Sequence, residues 1–315
     1  MDKENVRIRP FRNTRADAEG VLAVERATFA ESPYDADQVQ ALLANGRQHA
    51  WLAVDSQRVV GFVISFLTEG LHRRWWEIDL LAVLPAWRGR RLATRMIQAA
   101  AETGATQARG ARAFAADDNT ASARAFCRAG FHQAPELFEL LIFRTEDQAP
   151  PFRSVADILI RKATGGEDLA LWLGRQPDVQ GEGDGQQRGT QGPIALPGGP
   201  TGPTVFLAER DGRPAGYAVL VGVETLLYRG FWIEELTASD RLARQALVQE
   251  VTRHAQQMGA DEIGAMAPHS NGRLRTELLC TGYRSLGSYY QLTAELPLLK
   301  PDPVCPGRPQ GADLV

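Results

Sequence analysis

The stretch Trp87-Arg88-Gly89-Arg90-Arg91-Leu92-Ala93-Thr94-Arg95 sets four arginines and a glycine between an apolar run and a segment with an apolar face. A strand entering a helix through so tight a turn aims several unpaired backbone N–H groups at one point, where the helix dipole also favours negative charge. Gly89 lets the backbone approach a ligand, Ala93 keeps the first turn slim, and Arg88, Arg90, Arg91 and Arg95 are placed to hold phosphate oxygens. A pyrophosphate fits this pattern; the competing reading is a solvated basic face. Arginines at a helix start oppose its dipole unless an anion is present. Just upstream, Glu77 and Asp79 alternate along one predicted strand and so project from the same face. There a carboxylate can accept a proton, or merely face solvent or pair with Arg73 or Arg74.

These residues need a strand and a helix to hold them, and the local pattern supplies both. Ile78-Asp79-Leu80-Leu81-Ala82-Val83-Leu84 is nearly continuous in apolar residues, as in a strand buried on both faces, and Pro85 ends it. At larger scale the chain repeats itself. Leu52 and Ala53 recur as Leu207 and Ala208, Gly61 and Phe62 as Gly216 and Tyr217, and Ile78, Asp79 and Leu81 as Ile233, Glu234 and Leu236, all at an offset of 155. Further on, Asn119, Gly130 and Phe131 recur as Asn271, Gly282 and Tyr283, at an offset of 152. Each copy reads as strand, helix, hairpin, strand, helix, strand, helix, strand: an α/β class with mixed sheets, built twice. The expected boundaries are a first domain over 5–147, a linker over 148–154 and a second domain over 155–298. The Gly-, Pro- and Gln-rich segment 175–203 is expected to be a flexible loop, and 299–315 a disordered tail.

Composition limits the partners. The chain has 315 residues, 44% hydrophobic and 23% charged, enough for two ordinary domains. A net charge of only −3 gives no long-range field to gather nucleic acid or an anionic membrane, so any anion site must be local. No apolar run approaches the roughly 20 residues that span a bilayer, and Met1–Asn13 lacks the layout of a signal peptide, so a cytoplasmic protein is expected. Cys127, Cys280 and Cys305 are too far apart to suggest a disulfide framework or a metal knuckle.

In the first half, the order of these motifs resembles the GCN5-related N-acetyltransferase (GNAT) family. Leu81-Ala82-Val83-Leu84-Pro85 matches its strand, Arg88 to Ala93 its Arg/Gln-x-x-Gly-x-Gly/Ala loop, and Asn119, Phe126 and Gly130-Phe131 its following helix. The resemblance covers about residues 6–145 well and extends weakly over 155–297. It implies tandem GNAT folds and an acetyl-CoA-dependent N-acetyltransferase acting on a primary amine of a small molecule or protein, with a small-molecule or peptide amine as acceptor. It further implies that the backbone of Leu81, Ala82 and Val83 pairs with pantetheine, and that Arg88, Gly89, Arg90, Arg91, Leu92, Ala93 and Thr94 cradle the pyrophosphate. Asn119 and Phe126 would complete the cofactor-binding set, and Asp79, aligned with the family's strand acid, or Glu77 would be the catalytic base. A protonated amine with a pKa of about 10 needs such a group, directly or through water.

Four departures qualify this. The family's central loop glycine is Arg91, which must avoid positive φ or carry about 1 kcal/mol of strain. Its usual tyrosine acid is Phe126, and Phe114 replaces an acid in the preceding strand. The second half lacks the arginine and glycine turn, and Ser239 or Asp240 reads as an ordinary N-cap there. One acetyl-CoA per chain is therefore expected, in a monomer or homodimer, with no metal, nucleic acid or membrane as partner. A non-catalytic acyl-CoA sensor or scaffold is the alternative. Tyr34 is placed either to reach the acceptor side or to pack, and Trp75 and Trp76 read as packing residues.

Overall fold

The computed structural model describes residues 6–29, 34–71, 73–146, 157–174, 202–226 and 229–298. The expected linker 148–154, the tail 299–315 with Cys305, and all but the last two residues of the expected loop 175–203 lie outside them.

The first half runs β1 (Val6–Pro10), α1 (Arg15–Thr28), α2 (Ala36–Ala44), β2 (Gln48–Asp55), β3 (Arg58–Glu69), β4 (Arg74–Val83), α3 (Leu92–Gly104), β5 (Gly110–Ala116), α4 (Thr120–Ala129) and β6 (His132–Arg144). Among the described residues the second half repeats this order with one helix where the first has α1 and α2: β7 (Leu159–Lys162), α5 (Gly166–Gly174), β8 (Thr204–Arg210), β9 (Arg213–Glu224), β10 (Arg229–Ala238), α6 (Arg241–Gln257), β11 (Glu262–Pro268), α7 (Gly272–Cys280) and β12 (Arg284–Glu295). Duplication extends to backbone angles. Asn119 and Asn271 are both N-caps with ψ of 62°, each accepting from the N–H three residues on, and Gly130 and Gly282 have φ of 103° and 101°. A Cβ at Gly61 would lie 2.8 Å from the Ala82 carbonyl oxygen, and one at Gly216 2.5 Å from that of Thr237, so the same strand crossing excludes a side chain twice.

The twelve strands of the described residues form one sheet, in the order β1-β2-β3-β4-β5-β12-β6-β11-β10-β9-β8-β7. Among the described residues only β4 with β5 and β10 with β11 pair in parallel. At the centre the halves interleave: β12 lies between β5 and β6, and β6 lies between β12 and β11. Neither half completes its own sheet. The halves also meet across a face. Arg112 on β5 bonds Glu234 on β10 at 2.8 Å, although those strands are four places apart, about 19 Å on a flat sheet. The sheet must curl so that these faces oppose one another.

Each half carries core on both faces of its sheet. On one side α3 and α4 bury Leu92, Met96, Ile97, Ala100 and Phe126 against Trp76 and Ile78. Gly104 lies so close to the Trp76 ring that a Cβ would approach within 2.2 Å, and the indole N–H donates to the Ala100 carbonyl at 2.8 Å. Both Trp75 and Trp76 are buried, as packing residues should be. On the other side α1 and α2 cover Leu52, Phe62, Leu80 and Ala82, and fully buried Leu226, from beyond β9, joins this first-half core. Leu71, beyond β3, reciprocates by packing against the second-half core of Trp172 and Tyr217. Among the described residues no helix is long and apolar enough to cross a membrane, and no group of side chains is arranged to hold a metal ion.

Candidate active site

The site grows from an irregularity in β4. Val63 pairs with Leu81 but Ser65 pairs with Ile78, so β4 carries one extra residue at Asp79–Leu80. Such a bulge re-aims side chains. Trp76 and Ile78 pack toward α3, whereas Leu80 and Ala82 pack toward α1; facing parity reverses across Asp79. Bonding to β5 also stops here, since only Trp75, Trp76 and Glu77 pair with Gly110, Ala111 and Arg112. Beyond Glu77 the two strands part, and the β5-facing edge of Leu81, Ala82 and Val83 is left without a strand partner. An extended, amide-bearing ligand can add along such an edge. The Val83 carbonyl already accepts from Arg88 Nε at 3.2 Å.

After a 3-10 turn over Pro85–Trp87, Gly89 adopts φ 78° and Arg91, the N-cap of α3, φ 58°. Arg91 thus takes the left-handed conformation its glycine counterpart would favour. Space above Gly89 is open for 4 Å. The start of α3 has no side-chain cap, whereas Thr14, Asp35, Asn119, Asp240 and Asn271 cap α1, α2, α4, α6 and α7. Its first-turn N–H groups, from Leu92, Ala93 and Thr94, therefore suit an anion. Of the arginines, Arg90 stacks 4.4 Å above the Trp87 ring and Arg95 donates to the Val6 carbonyl. Thr94 Oγ1 donates to the Ala125 carbonyl at 3.4 Å, tying α3 to α4.

Asp79 and Glu77 differ sharply. Asp79 is open to solvent yet surrounded by protein; desolvation and then the Glu77 charge push it up to about 7. A carboxyl in that range exchanges protons near neutrality. Glu77 is buried and engaged: Arg112 Nη2 donates at 2.6 Å, Arg112 Nε at 3.0 Å and Thr68 Oγ1 at 2.6 Å. Burial raises its proton affinity while Arg112 opposes that. The partner is not Arg73 or Arg74, which bond Glu295 and Glu69. Glu77 is therefore a clamped carboxylate, and Asp79 the one open to a ligand.

Two further expected residues have partners within the protein. Asn119 accepts from Ser122 N–H as the cap of α4, and Phe126 lies in the core 5.1 Å from the Phe131 ring centroid. Tyr34 is half-buried against the α1–α2 core, where burial and then the Glu224 charge raise its hydroxyl. Sequence reasoning missed Arg112. The signal was present, because Gly110-Ala111-Arg112-Ala113 sets one arginine among small residues in a buried strand, where an unpaired charge is not tolerated.

In the second half the β10–β11 splay and a bulge at Glu234 persist, but the uncapped helix start does not. Asp240 caps α6 by accepting from Ala243 N–H and is gripped by both terminal nitrogens of Arg210. That carboxylate fills the place an anion would take. Where the first half has Glu77 beside Arg112, the second has Trp232 lying over Gly264.

Comparison with known proteins agrees with this geometry. Residues 18–131 match the model of the acetyltransferase (GNAT) family. None of the curated proteins matches the chain. Among solved structures, a GCN5-related N-acetyltransferase from Sphaerobacter thermophilus is similar, with a TM-score of 0.56 and 17% identity over 93% of this chain and 96% of that one. A GCN5-related glucosamine N-acetyltransferase region of a fungal multidomain GH3 β-N-acetylglucosaminidase has a TM-score of 0.54 and 18% identity over 91% of this chain. The chain spans only 38% of that longer protein. Residues 18–131, with the bulged and splayed strand and the uncapped helix start they contain, thus match the GNAT family model, and the chain as a whole shares the fold of a GCN5-related N-acetyltransferase.

Proposed function

We propose that the protein transfers an acetyl group from acetyl-CoA to a primary amine of a small molecule or peptide, using one site in its N-terminal half. One observation carries this reading: the uncapped, left-handed entry to α3 stands at the end of the strand that parts from β5 beside Asp79. In this reading the free edge at Leu81, Ala82 and Val83 aligns the pantetheine arm. The N–H groups from Gly89 to Thr94, with Arg88, Arg90 and Arg91, hold the pyrophosphate. Asp79 takes the proton that the amine must lose, its affinity near neutrality being suited to that task. Glu77 sets the charge beside Asp79, while Asn119 and Phe126 act by placing α4.

Phe126 favours a second reading, because no hydroxyl at that position protonates the departing thiolate. A CoA thiol resembles a cysteine, with pKa near 8.5, and can leave without a dedicated acid at modest cost. The two readings part in one assay of thiol release from acetyl-CoA with amines, polyamines, aminoglycosides and peptides. Turnover with any amine supports the enzyme. Tight acetyl-CoA binding without thiol release, even at pH 9, supports the sensor.

A further inference from the structure

The second half keeps two strand carboxylates, Glu234 and Glu235, although its own anion site is closed by Asp240. Neither points to an empty channel. Glu235 Oε1 accepts from the Leu71 N–H at 3.1 Å, and Glu235 also meets the Tyr217 hydroxyl. Glu234 reaches into the first half, where its Oε2 lies 2.8 Å from Arg112 Nη2. That nitrogen also donates to Glu77 Oε1 at 2.6 Å. All three side chains are at most 10% exposed, so one guanidinium serves two carboxylates away from water.

We propose that Glu234 is a positioning residue for the first-half site: by sharing Arg112 with Glu77 it leaves that carboxylate only partly neutralised beside Asp79, and so keeps Asp79 ready to accept a proton. The inference rests on the reading of Asp79 as base, and it gives the second half a part in the chemistry without a second cofactor.

The charges bearing on this relay come from three strands. Glu77 lies on β4 with Asp79, Arg112 comes from β5, and Glu234 comes from β10. Thr68 on β3 adds a neutral donor to Glu77, and the Trp75 and Phe114 rings flank the guanidinium at 5.3 and 5.6 Å. Two carboxylates on one arginine leave a net negative charge, and a nearby negative charge raises the proton affinity of Asp79. Removing the Glu234 charge frees Arg112 to neutralise Glu77 alone. Asp79 should then release its proton more readily.

The test is the titration of the Asp79 carboxyl carbon in the full-length chain, followed by NMR and assigned by its loss in Asp79→Asn. Glu234→Gln keeps the size and a hydrogen-bond acceptor, and should lower the Asp79 titration by about half a pH unit or more, a roughly threefold change in proton affinity. Glu234→Asp restores the charge and should recover part of the shift. Glu77→Gln, which leaves Arg112 paired to Glu234, should lower it as well and serves if Glu234→Gln fails to fold. An Asp79 titration unmoved in either folded Gln variant overturns the proposal. Because this readout needs no turnover, a shifted titration in a protein that acetylates nothing would sink the base assignment and leave the relay standing. An active enzyme with an unmoved titration would do the reverse.

Discussion

At the scale of single residues the site depends on an unequal pair. Two strand carboxylates look interchangeable in sequence, yet Glu77 is held by Arg112 and Thr68 while Asp79 is reached by solvent and pushed up to about 7. Asp79→Asn should lower kcat by about 10²-fold or more at neutral pH with acetyl-CoA affinity nearly unchanged, read from steady-state kinetics and calorimetry. The same substitution should alter stability in a pH-dependent way. The folded protein holds the Asp79 proton more tightly than the unfolded chain, whose value is about 3.8. Its stabilising effect is complete below that value and is lost as pH rises through about 7. Thermal melts should therefore show Asp79→Asn more stable than wild type at pH 8, an advantage that fades by pH 4.

At the scale of elements, the turn into α3 combines an unusual conformation with missing caps. Arg91 at φ 58° occupies a region that disfavours a side chain by about 1 kcal/mol. Arg91→Gly should accordingly raise the Tm by a few degrees at most, since glycine also has more entropy to lose on folding. A lower Tm would mean that the side chain makes contacts outweighing the strain. Charge reversal at both Arg88 and Arg90 should abolish measurable acetyl-CoA binding while leaving the melt close to wild type, because both side chains are exposed. Binding that survives the double reversal would remove the pyrophosphate from this turn. How far this site could be foreseen differs by residue. The loop arginines, Gly89 and the strand before them were legible because a strand, a tight turn and an apolar helix face are local patterns. The bulge at Asp79–Leu80 was not, since its extra residue is visible only in the pairing with β3.

At the scale of the whole molecule, the two halves share a sheet as well as an interface. Residues 6–146 alone would lose β12 from between β5 and β6 and would expose buried Leu226's place beneath α1 and α2. That fragment should be insoluble or lack a cooperative melt, and co-expression with the second half should restore it; a cooperative melt of the isolated fragment would refute the interdependence. Calorimetry of the intact chain should give one acetyl-CoA per chain, because α3 has an uncapped start and α6 is capped by Asp240. Two equal sites would contradict this.

The sequence by itself determined the duplication, the α/β class and which half carries the arginine and glycine turn. Those properties rest on short-range chemistry: strand periodicity, the Asn119 and Asn271 caps, the left-handed Gly130 and Gly282, and arginines beside Gly89. Tertiary structure alone decided the partners. It paired β12 with β5 and β6, seated Phe126 in the core rather than leaving it at the surface, and joined Glu77 to Glu234 through Arg112 across 122 positions of chain between the last two. The physical reason is that a spare strand edge or a buried charge requires a partner without specifying which one. Arg112 had to be neutralised, and only the curl of the sheet brought β10 within its reach.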